Sequence, residues 1–488
     1  MNQQIRRLAV AFLVLFILLF VQINYLQVFA AKRLADNPHN QRHILQEYAI
    51  ERGAILARDE RTVLAYSRAT NGTLKYLRVY PNGPLFASLT GFSSVLFGNA
   101  QLEATENDFL SGQASALAPE TFVDQLLGRP VIGAAVVTTI DPRLQRAAAR
   151  ALGSSRGAVV ALDPRSGDIL AMYANPTYDP NPLASHDSAV ARAAQARLVT
   201  NPEKPLLSGA SQELFPPGST FKLVTAAAAL ESGITPNTLF SNPAQLDLPQ
   251  TNHALQNFGG EHCLGGAAQI TLAQAFQVSC NVVFGQVGLK IGADALVTQA
   301  QKFGFDGSMP FQLPWAEGQI PQAGDFAQAL PALAFSAIGQ EDVLANPLQM
   351  ALVAGAVAHH GIEMAPRVIS EIRDPSGRVV QKVDPVEYGE PISVTTASEL
   401  TTMMVSVVQA GTGTAAQIPG ITVAGKTGTA QTAGGSPHAW FVCFAPAEHP
   451  QIVVAVVVLN GGSLGSEATG GHVAAPIARA VLEAALRG

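Results

Sequence analysis

The sequence predicts an α+β chain with three parts: a single N-terminal transmembrane helix, a small mixed domain over residues 31–155, and a larger domain over 156–488. In the larger domain, helices cover a five-stranded antiparallel sheet. Three observations predict this. An unbroken apolar run fills Leu8 to Phe20. Five strand-like segments fall in two groups, one near residues 157–173 and one near 421–460, with a long Ala-rich helical pattern between them. A last helical run, Ala475 to Leu486, closes the chain. Strands and helices that come in runs, not in strict alternation, point to an antiparallel sheet with helices on its faces.

At 488 residues the chain exceeds what one ordinary core holds, which implies two or three domains. A hydrophobic fraction of 48% excludes a disordered protein, and 14% charged residues with a net charge of -6 offer no basic face for nucleic acid. The apolar run extends through Gln22 and Asn24 to about Ala31 and follows Arg6 and Arg7. About 23 residues at roughly 1.5 Å each match a ~30 Å hydrocarbon core, and the preceding positive charge keeps the N-terminus in the cytoplasm. The expectation is a cytoplasmic tail over 1–7, an anchor over 8–30, and a single-pass cell-membrane protein whose body is extracytoplasmic. Val28-Phe29-Ala30 also has the spacing of a signal-peptidase site, but a cleavable apolar region usually runs only about 7 to 15 residues, so an uncleaved anchor is the better reading.

Cys263, Cys280 and Cys443 bear on that compartment, where two of them can pair. Cys443 sits inside Trp440-Phe441-Val442-Cys443-Phe444, a buried strand in which a free thiol acts as a small hydrophobe. Cys263 and Cys280 flank the stretch leading into Ser279-Cys280-Asn281 and are the expected disulfide. There is no CxxC and no HExxH, and His359-His360 stands alone, so neither metal nor cofactor is expected.

In chain order, residues 51–58 and 62–66 read as two short strands around a polar turn, and 76–125 shows no strong period. Val136 to Ile140 is a strand, and Asp141-Pro142 opens a helix running to about Leu152. Residues 157–164 and 167–173 form a hairpin around Arg165-Ser166. Three further strands follow the helical middle: Ile421 to Thr432, His438 to Ala445 and Ile452 to Asn460.

Three motifs, each present once, carry the chemistry: Ser219-Thr220-Phe221-Lys222, Ser279-Cys280-Asn281 and Lys426-Thr427-Gly428. Pro216-Pro217-Gly218 cannot lie inside a helix while Phe221 to Ser232 can, so Ser219 falls at a helix N-terminus with Lys222 at i+3 on the same face. A lysine near its ordinary pKa of about 10.4 is no base; burial or a neighbouring cation, here Lys426, must lower it. Backbone N–H groups at the helix start can hold a developing oxyanion. Ser279 and Asn281 fall on a short link between helices, where a hydroxyl can relay a proton and a carboxamide can hold an amide substrate. Lys426-Thr427-Gly428-Thr429 lies on a strand whose edge can pair with an extended peptide, whose Gly428 permits close approach, and whose Lys426 attracts a carboxylate. Taken singly, an SxxK is most often a surface helix and the other two motifs are ordinary caps and turns. Their conjunction, in order and on these elements, makes the acyl-transfer reading the stronger one.

Those motifs are the set used by penicillin-binding proteins and serine β-lactamases. The whole chain resembles a class B penicillin-binding protein, a peptidoglycan D,D-transpeptidase. Beyond the motifs, Glu51-Arg52-Gly53-Ala54-Ile55 resembles the RGxI segment opening the pedestal domain, and residues 214–222 are similar to the family's extended nucleophile block. Residues 337–340, 346–350 and 438–441 also look like family segments. The small pedestal and the lack of a C-terminal extension resemble the short actinobacterial type. The resemblance implies a penicillin-binding/serine β-lactamase-like transpeptidase domain. It implies Ser219 as acylated nucleophile, Lys222 as base, Ser279 and Asn281 as shuttle and substrate holder, and Lys426 and Thr427 as carboxylate binders. The backbone of Ser219 and Thr429 would form the oxyanion hole. Peptidoglycan stem peptides, β-lactams, a membrane glycosyltransferase and other wall-synthesis proteins are the implied partners. Glu341, where many relatives have Gly, and Ser208-Gly209, where many have Asn-Arg, depart from the pattern and leave the catalytic set intact. The alternatives are a D,D-carboxypeptidase or β-lactamase, in which water ends the acyl-enzyme, and a β-lactam sensor or scaffold. A sensor needs a signalling region, and about seven residues precede the anchor.

Overall fold

The structure, a computed structural model, describes residues 2–26, 47–117, 130–432 and 434–487. The N-terminal helix spans Asn2–Asn24, and its stretch Gln3–Asn24 has a mean hydropathy of 2.3 with none of its surface buried. Large apolar side chains such as Leu13, Phe16 and Phe20 point outward all along it, as suits a helix whose solvent is lipid. The last turn of the expected anchor, with Val28 to Ala30, lies outside the described residues, as do the first residues of the expected pedestal.

The first domain is built on a six-stranded sheet whose spatial order runs Val379–Lys382, Ile369–Arg373, Ala135–Thr138, Ile55–Leu56, Val63–Ala69, Tyr76–Val79. Two of these strands come from far along the chain, so a division into residues 31–155 and 156–488 is not a clean cut. Ile369 pairs with Thr138 and Ile372 with Val136, and both isoleucines are buried. Alternation in the sequence fixes which face of a strand is apolar but not which sheet receives it. The helix Pro142–Leu152 moves the boundary in the other direction. Asp141 caps it by accepting from Arg143 N, and Leu144, Ala148 and Leu152 share a core with Val159, Val456 and Val481 of the larger domain. The stretch near 76–125 is not featureless: it holds the helix Gly83–Thr90 and several one-turn pieces too short to carry a period. It also supplies Glu103, buried between Arg52 and Arg78 with both Nε–O distances 2.6 Å.

The larger domain is organised by a five-stranded antiparallel sheet in the order Ala424–Ala430, His438–Ala445, Ile452–Val458, Gly157–Leu162, Ile169–Asn175. Its central strands are buried on both faces, so they read as continuous apolar runs. Successive residues nonetheless feed different cores. Val160, Val442, Phe444 and Val453 point to one face with Val224 and Leu352 of the helices Lys222–Glu231 and Pro347–Ala358. Val159, Phe441, Cys443 and Val456 point to the other, with Leu152 and Leu482 of the helices Pro142–Leu152 and Ala475–Leu486. Each such side chain contributes about 1.5–3 kcal/mol of burial, and a carboxylate at Val456 would instead stand unpaired between sheet and helices. The strand carrying Lys426 lies at the end of the sheet order, so one of its edges is left to face the turn that carries Ser219.

Candidate active site

Pro216 and Pro217 hold the chain out of helical geometry, and a single 3-10 turn, Gly218–Phe221, leads into the helix Lys222–Glu231. Ser219 is therefore half-buried at the start of a buried helix. The turn is pressed against the Lys426 strand. Gly218 has φ +52, donates its N–H to Gly339 O at 2.9 Å, and a Cβ on it would come within 2.9 Å of Thr429 O. A Cβ on Gly428 would meet Pro217 O at 2.9 Å and Trp440 Cβ at 3.0 Å. The glycine of the third motif is thus required by how closely that strand approaches the turn that carries Ser219.

The two lysines are fully buried. Lys222 Nζ donates to Ser279 O and to Asn281 Oδ1, both at 2.8 Å, with Ser279 Oγ at 3.4 Å. Lys426 Nζ donates to Ser279 Oγ at 2.9 Å and to Thr427 O at 2.8 Å. The hydroxyl of Ser279 thus lies between the two amines. Ser279 sits at φ +60, a left-handed conformation costing a serine roughly 1 kcal/mol, and the disulfide from Cys263 to the next residue, Cys280, restrains it there. Burial pushes the Lys222 amine well below its ordinary range, and the charge of Lys426 pushes it further. Burial alone brings Lys426 to about 7. Among the described residues no carboxylate pairs with either. Phe284 and Phe276 wall them in, with ring centres 5.3 and 5.5 Å from Lys222 Nζ and Lys426 Nζ.

A neutral Lys222 has two N–H bonds and one lone pair. The two short acceptors, Ser279 O and Asn281 Oδ1, use both hydrogens, and the lone pair is left for another proton donor. That is the arrangement a base beside Ser219 needs.

The structure brings Ser219, Lys222, Ser279, Asn281, Lys426, Thr427, Gly428 and Thr429 to one place. Asn281 is the first residue of the helix Asn281–Ile291 and not part of the link before it. Its carboxamide is engaged at both ends, since Nδ2 donates to Gln256 O at 3.0 Å. Thr427 Oγ1 lies 2.5 Å from Thr412 Oγ1, and Gly470 N donates to Thr429 Oγ1 at 3.4 Å. Cys443 is a buried free thiol, pushed up by burial. His438 is no competing base: burial and then Arg156 bring it down to about 4, and its ring stands edge-on to Phe215. Sequence reasoning missed Thr412, Gln256, Asn257, Phe276 and Phe284. They belong to no motif, and no spacing signal marks them.

The chain is similar to known proteins over nearly its whole length. Residues 157–483 match the Penicillin binding protein transpeptidase domain, and residues 52–136 match the Penicillin binding protein A dimerisation domain. The chain is 42% identical over 497 residues to the peptidoglycan D,D-transpeptidase PbpA of Mycolicibacterium smegmatis, covering 100% of this chain and 99% of that one. It is 41% identical over 498 residues to PbpA of Mycobacterium tuberculosis, with 100% of each covered. The ceftriaxone acyl-enzyme complex of penicillin-binding protein A from M. tuberculosis superposes with a TM-score of 0.87 at 40% identity, covering 91% of this chain and 100% of that one. Its imipenem acyl-enzyme gives 0.85 at 40% identity, covering 90% and 100%. With the transpeptidase model matched over residues 157–483 and relatives 42% and 41% identical along the whole chain, the chain belongs to the penicillin-binding protein transpeptidase family.

Proposed function

We propose that this chain is a membrane-tethered peptidoglycan D,D-transpeptidase that works through an acyl-enzyme on Ser219 and is trapped there by β-lactams. The observation that carries the reading is the Ser279 hydroxyl held between two buried lysines, beside the turn of Ser219. Lys222, neutral, takes the Ser219 proton as Oγ attacks the D-Ala-D-Ala carbonyl. The N–H groups of Ser219 and Thr429 stabilise the oxyanion. Ser279 passes the proton from Lys222 to the departing D-Ala amine. An amine of a second stem peptide then attacks the ester carbonyl and loses its proton to the same base, which returns it to Ser219 Oγ as the ester C–O bond breaks and a new amide bond is left. Lys426 and Thr427 bind the terminal carboxylate, Gly428 lets the peptide lie along the strand edge, and Asn281 orients both Lys222 and the substrate amide. Arg6 and Arg7, in the N-terminal helix just before its apolar run, support an extracytoplasmic body. The matched domains are a dimerisation and a transpeptidase domain, so a separate membrane glycosyltransferase would supply the glycan strands.

The test is to incubate the full-length protein in detergent with penicillin G and follow intact mass over time. A lasting adduct that Ser219→Ala abolishes is expected. Rapid release would turn the assignment to a hydrolase, and no adduct at all would overturn it.

A further inference from the structure

Outside the three motifs, one polar side chain is wired into the catalytic cluster from a different part of the chain. Asn257 is buried, with 9% of its surface exposed. Its Oδ1 accepts from Asn281 N at 2.9 Å and from Val282 N at 3.1 Å, and its Nδ2 donates to Glu261 O at 2.9 Å. The helix Asn281–Ile291 has no cap of its own, because Cys280 at its N-cap position gives no side-chain hydrogen bond. Two of the backbone donors left over at that helix start are therefore satisfied from 24 and 25 residues away. The preceding residue completes the clamp. Gln256 O accepts from Asn281 Nδ2 at 3.0 Å, which fixes the carboxamide so that Oδ1 faces Lys222 Nζ at 2.8 Å. The disulfide ties this same loop to Cys280, with the two Cα atoms 6.0 Å apart.

We infer that Asn257 is a positioning residue for acylation: by capping the Asn281 helix and seating the Gln256 carbonyl, it fixes the Asn281 carboxamide and through it the Lys222 lone pair. This rests on the acyl-enzyme reading of Ser219. Without Asn257, the Asn281 N–H must find water, the carboxamide is free to turn, and Lys222 loses the acceptor that takes one of its two hydrogens. An aspartate in its place keeps the acceptor at the helix start, but brings a negative charge one hydrogen bond from the residue that holds Lys222. That charge favours the protonated amine.

The experiment measures the second-order rate constant of penicillin G acylation against pH for the full-length wild type, Asn257→Ala, Asn257→Asp and Asn242→Ala. Asn242 Nδ2 donates to Cys263 O and Ala267 O, so it braces the same loop without touching Asn281. Expected for Asn257→Ala is a fall of about tenfold to a hundredfold at neutral pH, in the range assigned to a displaced general base. Expected for Asn257→Asp is an acid limb moved to higher pH, with the rate recovering toward the wild type in alkali. Asn242→Ala should lower the melting temperature and leave the acid limb in place. If Asn257→Ala does not fold, the acid limb of Asn257→Asp decides. No wild-type adduct would sink the acyl-enzyme reading together with this inference. A wild-type adduct with unmoved rate and limb in the Asn257 variants would sink the role of Asn257 alone, even if their melting temperatures fall.

Discussion

In the first domain, Glu103 is buried between Arg52 and Arg78, takes a 2.6 Å hydrogen bond from each, and accepts a third from the Tyr80 hydroxyl at 3.1 Å. In the proposed active site, Lys222 and Lys426 are buried just as completely, yet their partners are two backbone carbonyls, a hydroxyl and a carboxamide. The outcomes differ in sign. Burial works to raise Glu103, but the two arginines outweigh it and hold the carboxylate ionised. With no carboxylate at hand, burial works unopposed on the lysines and drives them toward the neutral form. A buried carboxylate between two guanidiniums stays ionised and staples strands together. A buried lysine with no carboxylate beside it is driven toward the neutral form, the form that can act as a base.

The sharpest way to break this contrast is to put into the active site a cation that cannot discharge. Arginine keeps its proton at any accessible pH, so Lys222→Arg should acylate with penicillin about a thousandfold more slowly or worse, as expected on loss of a general base. An acylation rate within tenfold of wild type would mean that Lys222 acts by its charge. Next in size is the converse change in the first domain. Glu103→Ala leaves Arg52 and Arg78 buried and facing one another and should cost about 3–5 kcal/mol in denaturant unfolding. Acylation per folded molecule should be unchanged, since that cluster is no part of the site.

The two clusters also differ in how far the sequence reveals them. Lys222 and Lys426 are legible because the proposed chemistry ties each to fixed neighbours, Ser219 at i-3 and Thr427-Gly428 at i+1 and i+2. Arg52 is visible in the RGxI segment, but Glu103 and Arg78 are not, because an ion pair closed by folding leaves no local period. The same holds at the level of the fold. The hairpin, the three later strands and the last helix are local patterns and lie where the sequence places them to within a few residues. The strand Ile369–Arg373 joins the first domain's sheet through pairings more than 200 residues apart and carries its local partner Val379–Lys382 with it, and nothing local encodes that. Asn257 was missed for this reason as well: its partners at Asn281 and Val282 become neighbours only in the fold.

A third, smaller effect follows from pH. The two amines share the Ser279 hydroxyl and titrate as a pair, so their apparent values belong to the pair. Protonating both leaves no lone pair for Ser219. The first proton settles on Lys426, which burial brings to about 7, and Lys222, pushed lower by burial and by that charge, keeps its lone pair; acylation should therefore hold through neutral pH and fall by about a factor of ten per unit only in more acid solution, where the second proton binds. A rate that already falls about tenfold per unit between about pH 8 and pH 7 would show that one proton on the pair is enough to disable the base.

The smallest predicted effect tests the same contrast through stability and carries the opposite sign to Glu103→Ala. The amine of Lys426 is brought down to about 7 in the folded chain and returns to about 10.4 when unfolded. Between those values the unfolded state holds the proton and the folded state does not, so stability rises with pH from about 7 to about 10.4. Below about 7 both states are protonated, and the full penalty for burying the charge is present. Lys426→Met removes the titrating group and keeps the stem's volume. It should therefore stabilise the chain by about 1–4 kcal/mol at or below neutral pH, with the gain shrinking as pH rises toward 10, while acylation is lost. Unfolding in denaturant at pH 6 and pH 9 measures both quantities. A variant less stable than wild type at both would mean that the hydrogen bonds of Lys426 to Ser279 and Thr427 are worth more than the desolvation they offset, and that this lysine, like Arg52 and Arg78, is held for structure.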